Sequence, residues 1–159
     1  MKTAVRKFFG FSFPILARIL LGGVFMASGL IKLLEPAANF RAVLYGYDAL
    51  PAAWVPMIAL VVPWLEWILG FFVVSGYALR ASSFLLGCFA FSLAAVIALS
   101  GKLGLDASQT CGCFGESGPQ LTYPQIFFLD IVNGCLGLFL SRFRSSPLTL
   151  DRWLSCSAE

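Results

Sequence analysis

Residues 61–100 read VVPWLEWILGFFVVSGYALRASSFLLGCFAFSLAAVIALS, and this stretch decides the fold class. It contains two apolar runs, at about 61–79 and 81–100, with Arg80 alone between them. A helix that crosses a bilayer needs roughly 20 consecutive, mostly apolar residues, and each run meets that length. The stretch therefore predicts two transmembrane helices joined by a very short turn.

Two further apolar runs flank this pair, at about 13–34 and 123–141. The 159 residues are 59% hydrophobic and 12% charged, whereas a soluble domain carries about 25% charged residues. A soluble chain of this size would leave much apolar surface in water, because it buries only about 70% of what its unfolded form exposes. We therefore predict an all-α membrane protein, a four-transmembrane-helix bundle with short loops that forms a single domain over residues 1–159.

Two prolines determine where the second span is predicted to begin. The apolar run reaches back to Ala52, but Pro56 and Pro63 interrupt it. Proline removes a backbone donor and clashes with the preceding turn, so we expect a break or kink there. The deep part of this span is therefore placed from about residue 61, which leaves predicted outer loops at about 35–60 and 101–122.

The basic residues are distributed unevenly between the two ends of the predicted bundle. With the N-terminus inside, the inner side holds Lys2, Arg6, Lys7, Arg80, Arg142, Arg144 and Arg152, and the outer side holds only Lys32, Arg41 and Lys102. Cytoplasmic loops carry an excess of lysine and arginine. This distribution predicts a multi-pass protein of the bacterial inner (cytoplasmic) membrane, with both termini inside and the two loops extracytoplasmic.

The first run has a second interpretation as a cleaved secretory signal, because basic residues precede it. A signal peptide contains only about 7–15 apolar residues. This run is longer and contains Arg18, which favours an uncleaved helix. The other three spans would be the same under either interpretation.

The second predicted loop contains the sequence CGCFG at 111–115. Cys111 and Cys113 can form a disulfide if the chain turns at Gly112, because bonded cysteines have Cα atoms about 4.4–6.8 Å apart and glycine adopts turn conformations freely. So small a ring should be easily reduced, and an oxidising compartment suits it. The pattern favours a redox-active dithiol, and the alternative interpretation is an inert disulfide that only holds the loop in shape. We predict no metal site, because two thiolates need further ligands and the chain has no histidine.

Ionisable residues inside predicted spans are the second functional signal, because charges in hydrocarbon are rare and usually functional or paired. At 1.5 Å per residue, Glu66 lies about 20 Å and Asp130 about 17 Å from the inner ends of their spans. The two carboxylates are therefore expected to face each other below the cysteine loop. They would form either a proton relay or a structural group, with Lys32 contacting one carboxylate and Asn133 hydrogen-bonding the other.

Cys88 and Cys135 lie at similar predicted depth on adjacent helices. A disulfide between them would give a second redox pair and a transmembrane electron relay. The alternative is that both are small packing residues, since a buried free cysteine behaves as a small hydrophobe. Cys156, in the tail, has no predicted role.

Three motifs occur along the chain. The first span contains Arg18 through Gly22 with Ser28, Gly29 and Lys32, the second contains Pro63, Trp64, Leu65 and Glu66, and the outer loop contains CGCFG at 111–115. Together they resemble the motifs of the methylamine-utilisation MauE family, within the wider group of DoxX-like membrane proteins, and CGCFG is the most specific match. The motifs occur in the family's order and extend over most of the chain.

The resemblance implies a four-helix membrane protein that works with thioredoxin-fold proteins in the periplasm. The family's named member is linked to maturation of a disulfide-rich periplasmic dehydrogenase subunit. Carried over, Cys111 and Cys113 become the redox pair, and Glu66 becomes a site residue of unknown task. A more distant similarity is to quinone-linked enzymes of the vitamin K epoxide reductase type, but this chain lacks their C-x-x-C pair. No cofactor is predicted with certainty, and the sequence does not decide whether the protein binds a quinone.

The expected function is thiol–disulfide redox chemistry at the membrane. The protein would support disulfide formation in, or maturation of, a periplasmic redox protein, with a thioredoxin-like protein or a disulfide-containing substrate as partner. The alternative is a non-catalytic assembly or anchor subunit of an oxidoreductase complex. Enzymatic activity is therefore left undecided at this point.

Overall fold

The computed structural model describes residues 2–47, 49–102, 112–115 and 118–142. This part of the chain forms the helices α1 (Lys2–Leu34), α2 (Ala37–Tyr45), α3 (Val55–Ser75), α4 (Leu79–Lys102) and α5 (Tyr123–Ser141). Four segments are long and apolar enough to cross a membrane, namely Phe13–Leu34, Val55–Ser75, Leu79–Gly101 and Tyr123–Ser141. The predicted four-helix membrane bundle is confirmed.

The second span lies earlier in the chain than the predicted 61–79, because α3 runs without interruption through Pro63. Pro56 occupies the first turn of α3, where a missing N–H costs nothing. A proline inside a membrane helix is tolerated where neighbouring helices compensate for it. Pro63 is buried against α1, and its carbonyl oxygen lies 2.6 Å from the position that a Cβ would take at Gly29.

The end of α3 is set by Gly76, which has a left-handed backbone with φ of 73°. The N–H groups of Gly76 and Tyr77 both donate to the carbonyl of Phe72, at 2.9 and 3.0 Å. Such a left-handed cap satisfies carbonyls that the helix leaves free. Residues 76–78, rather than Arg80 alone, therefore form the turn between the second and third spans.

Arg18 is buried and completes this helix end instead of reaching the membrane surface. Its Nε donates to the carbonyl of Val73 at 3.2 Å, and a terminal nitrogen donates to that of Val74 at 2.9 Å. A cation at a helix C-terminus also interacts favourably with the helix dipole. Arg18 thus joins α1 to the end of α3.

The bundle consists of two tightly packed helix pairs with a looser seam between them. In the α1–α3 pair, a Cβ at Gly22 would lie 2.7 Å from the carbonyl oxygen of Gly70. In the α4–α5 pair, a Cβ at Gly137 would lie 2.8 Å from the Cα of Gly87. Small residues allow helix backbones to approach this closely. Contacts between the two pairs are fewer than contacts within them.

The short helix α2 lies within the predicted loop 35–60 and was not predicted. Its buried residues Phe40 and Leu44 pack against Val55 and Ala59 of α3. Tyr47, just beyond α2, packs against apolar residues of α4 and α5. The segment therefore lies across the end of the bundle that carries residues 35–54 and 112–122, which we call the loop end. The opposite end, with residues 76–78, is the turn end.

A cavity bounded by an ion pair and a disulfide loop

A cavity of about 240 Å³ lies in the seam near the loop end. All five helices contribute to its walls, together with Cys113 and Phe114 of the loop. Most of the lining side chains are aliphatic or aromatic. The polar exceptions are Ser28, Lys32, Tyr47, Glu66, Ser92, Asp130 and Asn133. The site residues predicted on three different helices are therefore brought to one cavity.

Lys32 of α1 and Glu66 of α3 form a buried ion pair on one wall. Lys32 Nζ lies 2.8 Å from each carboxylate oxygen, and the two side chains are 3% and 2% exposed. The ammonium also lies 4.8 Å from the centre of the Phe40 ring. A buried charge without its partner is strongly destabilising, so these two residues depend on each other.

Ser28 connects this ion pair to the cysteine loop. It lies one helical turn before Lys32, on the same face of α1. Its Oγ is 3.1 Å from Glu66 Oε2 and also 3.1 Å from the carbonyl oxygen of Cys113. A hydroxyl has one proton to donate. Ser28 therefore donates to either the carboxylate or the loop carbonyl at any moment.

Cys113 is disulfide-bonded. Cys88 and Cys135 are both free, so neither is its partner, and Cys111 and Cys156 lie outside the described residues. The Tyr47 hydroxyl is 3.5 Å from Cys113 Sγ. Since a disulfide sulfur carries no proton, the hydroxyl is the donor in this contact. The bonded sulfur is thus held beside the cavity by a residue just beyond α2.

The glycines of CGCFG have a steric explanation. Gly112 and Gly115 have φ of 62° and 76°, a region that residues with a side chain rarely adopt. A Cβ at Gly112 would lie 2.7 Å from the Val43 side chain, and one at Gly115 would lie 2.5 Å from the Glu35 carboxylate. The loop therefore packs directly on α2 and on the end of α1.

Asp130 and Asn133 form the polar part of the opposite wall, on α5. They are only 6% and 5% exposed. Within the described part of the chain, Asp130 Oδ2 and Asn133 Nδ2 have no hydrogen-bond partner. The predicted hydrogen bond between Asn133 and a carboxylate is therefore not formed by this amide nitrogen. Asp130 lies close enough to Glu66 and Lys32 to interact electrostatically with both.

Tyr47 is a site residue that the sequence reasoning missed, because it lies in a segment predicted to be a loop. Burial raises the pKa of Tyr47 above its ordinary value of 10.0, and the nearby Tyr123 and Asp130 raise it further. Its ring packs edge-on against that of Tyr123, with centroids 5.8 Å apart. The phenol is therefore neutral at physiological pH and available as a donor.

Cys88 and Cys135 are both free and exposed. The preceding residues Gly87 and Gly134 lie in the α4–α5 interface. Because each helical residue turns by about 100° from the one before, the two cysteines face away from that interface. They therefore do not fill the interior as packing residues, and no disulfide joins them in this structure.

Comparison with known proteins places these features in a family. The family described as methylamine utilisation protein MauE matches residues 11–142. No curated protein and no solved structure matches the chain. The matched range includes the ion pair, the CGCFG loop and all four membrane-spanning segments. The chain is a multi-pass membrane protein that belongs to the MauE family, which is associated with methylamine utilisation.

Proposed function

We propose that this protein is a membrane thiol–disulfide redox protein whose active group is the dithiol of Cys111 and Cys113. It would support disulfide formation in, or maturation of, a periplasmic redox protein. The observation that carries the proposal is the bonded Cys113, held at the loop end beside a buried ion pair. We assign Cys111 as the second sulfur, because it is the cysteine nearest in the chain.

The location of the loop indicates the compartment in which the exchange would take place. The excess of basic residues on the side of the turn end supports a cytoplasmic location for that end. The loop end then faces the periplasm of a bacterial inner membrane. Disulfides persist in such an oxidising compartment. A periplasmic thioredoxin-like protein or a disulfide-containing substrate could reach the loop there.

The exchange reaction follows from the chemistry of a dithiol. A partner thiolate attacks one sulfur of the Cys111–Cys113 bond, which forms a mixed disulfide and releases the other cysteine as a thiolate. The second thiol of the partner, once deprotonated, attacks the mixed disulfide. The partner leaves oxidised, and Cys111 and Cys113 keep its two electrons and two protons as a dithiol.

Mixed-disulfide trapping tests this proposal. In Cys111→Ser and Cys113→Ser variants expressed in the native host, the one remaining loop thiol can attack the disulfide of an oxidised partner. The resulting mixed disulfide lacks the second loop cysteine that would displace the partner. At least one of them should therefore retain a partner that reductant releases on a non-reducing gel. Cys88→Ser and Cys135→Ser are matched controls, because both change an exposed free cysteine. They should trap nothing beyond the wild type.

The trapping proposal fails under one clear result. If neither loop variant captures a protein and the host grows with either variant as well as with the wild type, the loop cysteines do not exchange disulfides with a partner.

The alternative function is a non-catalytic assembly or anchor subunit. It is favoured by the close packing of Gly112 on Val43 and of Gly115 on Glu35, which a purely structural loop would also need. The reduction potential of the loop disulfide separates the two functions. A value below about −300 mV is typical of a structural bond, and a higher value of an exchangeable one.

A further inference from the structure

The cavity contains polar groups that the protein itself leaves unpaired. Asp130 and Asn133 are more than nine-tenths buried, and both line the cavity. Among the described residues, nothing bonds to Asp130 Oδ2 or Asn133 Nδ2. Buried polar atoms are almost always hydrogen-bonded, and each exception needs an explanation. A bound molecule with polar atoms of its own would supply the missing partners.

The other walls limit the chemistry of that molecule. They include the aromatic rings of Phe25, Phe40, Phe89 and Phe114. The volume of about 240 Å³ exceeds the roughly 150 Å³ of a cavity that binds benzene. A substituted six-membered ring therefore fits. A hydrocarbon chain would also fit the walls, but it would leave the Asn133 amide nitrogen unpaired.

The donors come from opposite helix pairs. Lys32, on α1, carries three N–H groups, and its contacts with Glu66 involve two carboxylate oxygens. Asn133, on α5, offers the unpaired Nδ2. A ring with an acceptor oxygen at each of two opposite edges could therefore bond to both helices. Cys113 lines the same cavity, so such a ring would lie beside a redox-active sulfur.

We propose that this cavity binds the headgroup of a lipid-soluble quinone, with Lys32 and Asn133 donating to its two carbonyl oxygens. The bound quinone exchanges electrons with the Cys111–Cys113 pair, and this second part rests on the proposed function. The dithiol loses two electrons and two protons and becomes a disulfide. The quinone gains both and becomes a quinol. The membrane thereby supplies the oxidant that restores the loop disulfide after each exchange.

Binding is tested with the full chain in lipid nanodiscs, with decylubiquinone as the probe and decylbenzene as an analogue without carbonyls. Decylubiquinone should bind saturably above the level of empty nanodiscs, and decylbenzene should not compete. Asn133→Leu should weaken the Kd roughly 10-fold, as expected for the loss of about one hydrogen bond. The adjacent Val132→Leu, on an exposed face of the same helix, is the matched control and should bind normally.

Two binding results would overturn the site. One is no saturable decylubiquinone binding by the wild type, which would indicate a cavity filled by water only. The other is equal affinity of Asn133→Leu and Val132→Leu, which would place the probe elsewhere. Cys113→Ser should retain binding, because it removes the redox pair without removing a donor to the ring.

Electron exchange is tested anaerobically by mixing reduced protein with decylubiquinone. Each chain should lose two alkylatable thiols and form one quinol, and Cys113→Ser should form none. Binding without quinol formation would overturn the electron exchange and leave the trapping result untouched. Failure to trap a partner, together with normal quinone binding, would instead contradict the proposed function and leave the cavity site standing.

Discussion

Ser28 is the residue through which the charge in the membrane interior can influence the cysteine loop. While Glu66 is ionised and paired with Lys32, the Ser28 proton is attracted to the carboxylate, because hydrogen bonds to charged acceptors are stronger. The Cys113 carbonyl oxygen then accepts a weaker hydrogen bond from Ser28. If Glu66 takes up a proton, it can donate to Ser28, whose own proton is free to turn to the loop. One hydroxyl thus couples the carboxylate to the loop backbone.

The Lys32–Glu66 pair should show strong dependence between its two members. Lys32→Met or Glu66→Met alone should destabilise the fold by about 3–5 kcal/mol, because each leaves a buried charge unpaired. The double variant should be markedly more stable than the sum of the single changes predicts. The measurement is the free energy of unfolding in detergent micelles, analysed as a double-mutant cycle.

Additive losses in that cycle would contradict the buried pairing. Arg80→Met, at an exposed position at the turn end, is the control for loss of a positive charge. It should change the free energy of unfolding by less than about 1 kcal/mol.

Tyr47 should make stability fall at alkaline pH. Its pKa is raised in the folded protein from the ordinary value of 10.0, so the unfolded chain releases this proton at lower pH than the folded one. The contribution is complete below pH 10 and is lost as the pH rises above it. Tyr47→Phe should therefore reduce the alkaline loss of thermal stability.

The control for this pH effect is Tyr45→Phe, which changes an exposed tyrosine of the neighbouring α2. Its melting temperature should follow the wild type across the same pH series. Identical profiles for Tyr47→Phe and Tyr45→Phe would show that Tyr47 does not titrate differently on unfolding.

At the scale of helices, different glycine contacts hold the α1–α3 pair and the α4–α5 pair together. The cysteine loop is part of the α4–α5 connection but also contacts the α1–α3 side. Residues 112–115 lie between α4 and α5 in the chain, yet they contact Val43 of α2 and Glu35 at the end of α1. The bonds from Ser28 and Tyr47 to Cys113 also come from the α1–α2 part of the chain. The loop therefore fastens one helix pair to the other.

The α1–α3 contact predicts that alanine substitutions at two adjacent glycines have different effects on stability. A Cβ at Gly22 would lie 2.7 Å from both the Gly70 carbonyl oxygen and the Val74 side chain, whereas one at Gly23 would meet nothing within 4 Å. Gly22→Ala should cost about 1–3 kcal/mol of stability through overpacking. Gly23→Ala should be neutral or stabilise the helix by up to about 1 kcal/mol.

Thermal unfolding of both variants in the same detergent provides the comparison. Equal melting temperatures for Gly22→Ala and Gly23→Ala would mean that α1 and α3 do not approach as closely as the structure shows.

At the scale of the whole molecule, the orientation in the membrane is directly measurable. A membrane-impermeant maleimide should label Cys113 from outside intact cells, in a reduced Cys111→Ser variant whose other cysteines are serine. In the same background without Cys113, a Tyr77→Cys variant places a thiol at the turn end. It should be labelled only after the cells are permeabilised. The reverse pattern would place the loop in the cytoplasm and remove the basis of the proposed function.

The parts of this molecule that were predictable from sequence are those governed by composition and length. Apolar runs of membrane-spanning length predicted the four-helix bundle, and the rarity of charges in hydrocarbon drew attention to Lys32, Glu66 and Asp130. The bounds of α3 were less accurate, because the helix continues through Pro63 and because the left-handed turn that ends it at Gly76 depends on backbone conformation. Tyr47 was missed, since its role depends on packing against helices that are distant in the chain.

The two ends of the bundle are closed by bonds of very different strength. At the turn end, peptide bonds through residues 76–78 make α3 continuous with α4. At the loop end, the described contacts that span the seam are noncovalent, namely the hydrogen bonds of Ser28 and Tyr47 with Cys113 and the packing of Gly112 and Gly115 on Val43 and Glu35. A force applied to the loop would therefore strain these noncovalent contacts before it strained the turn.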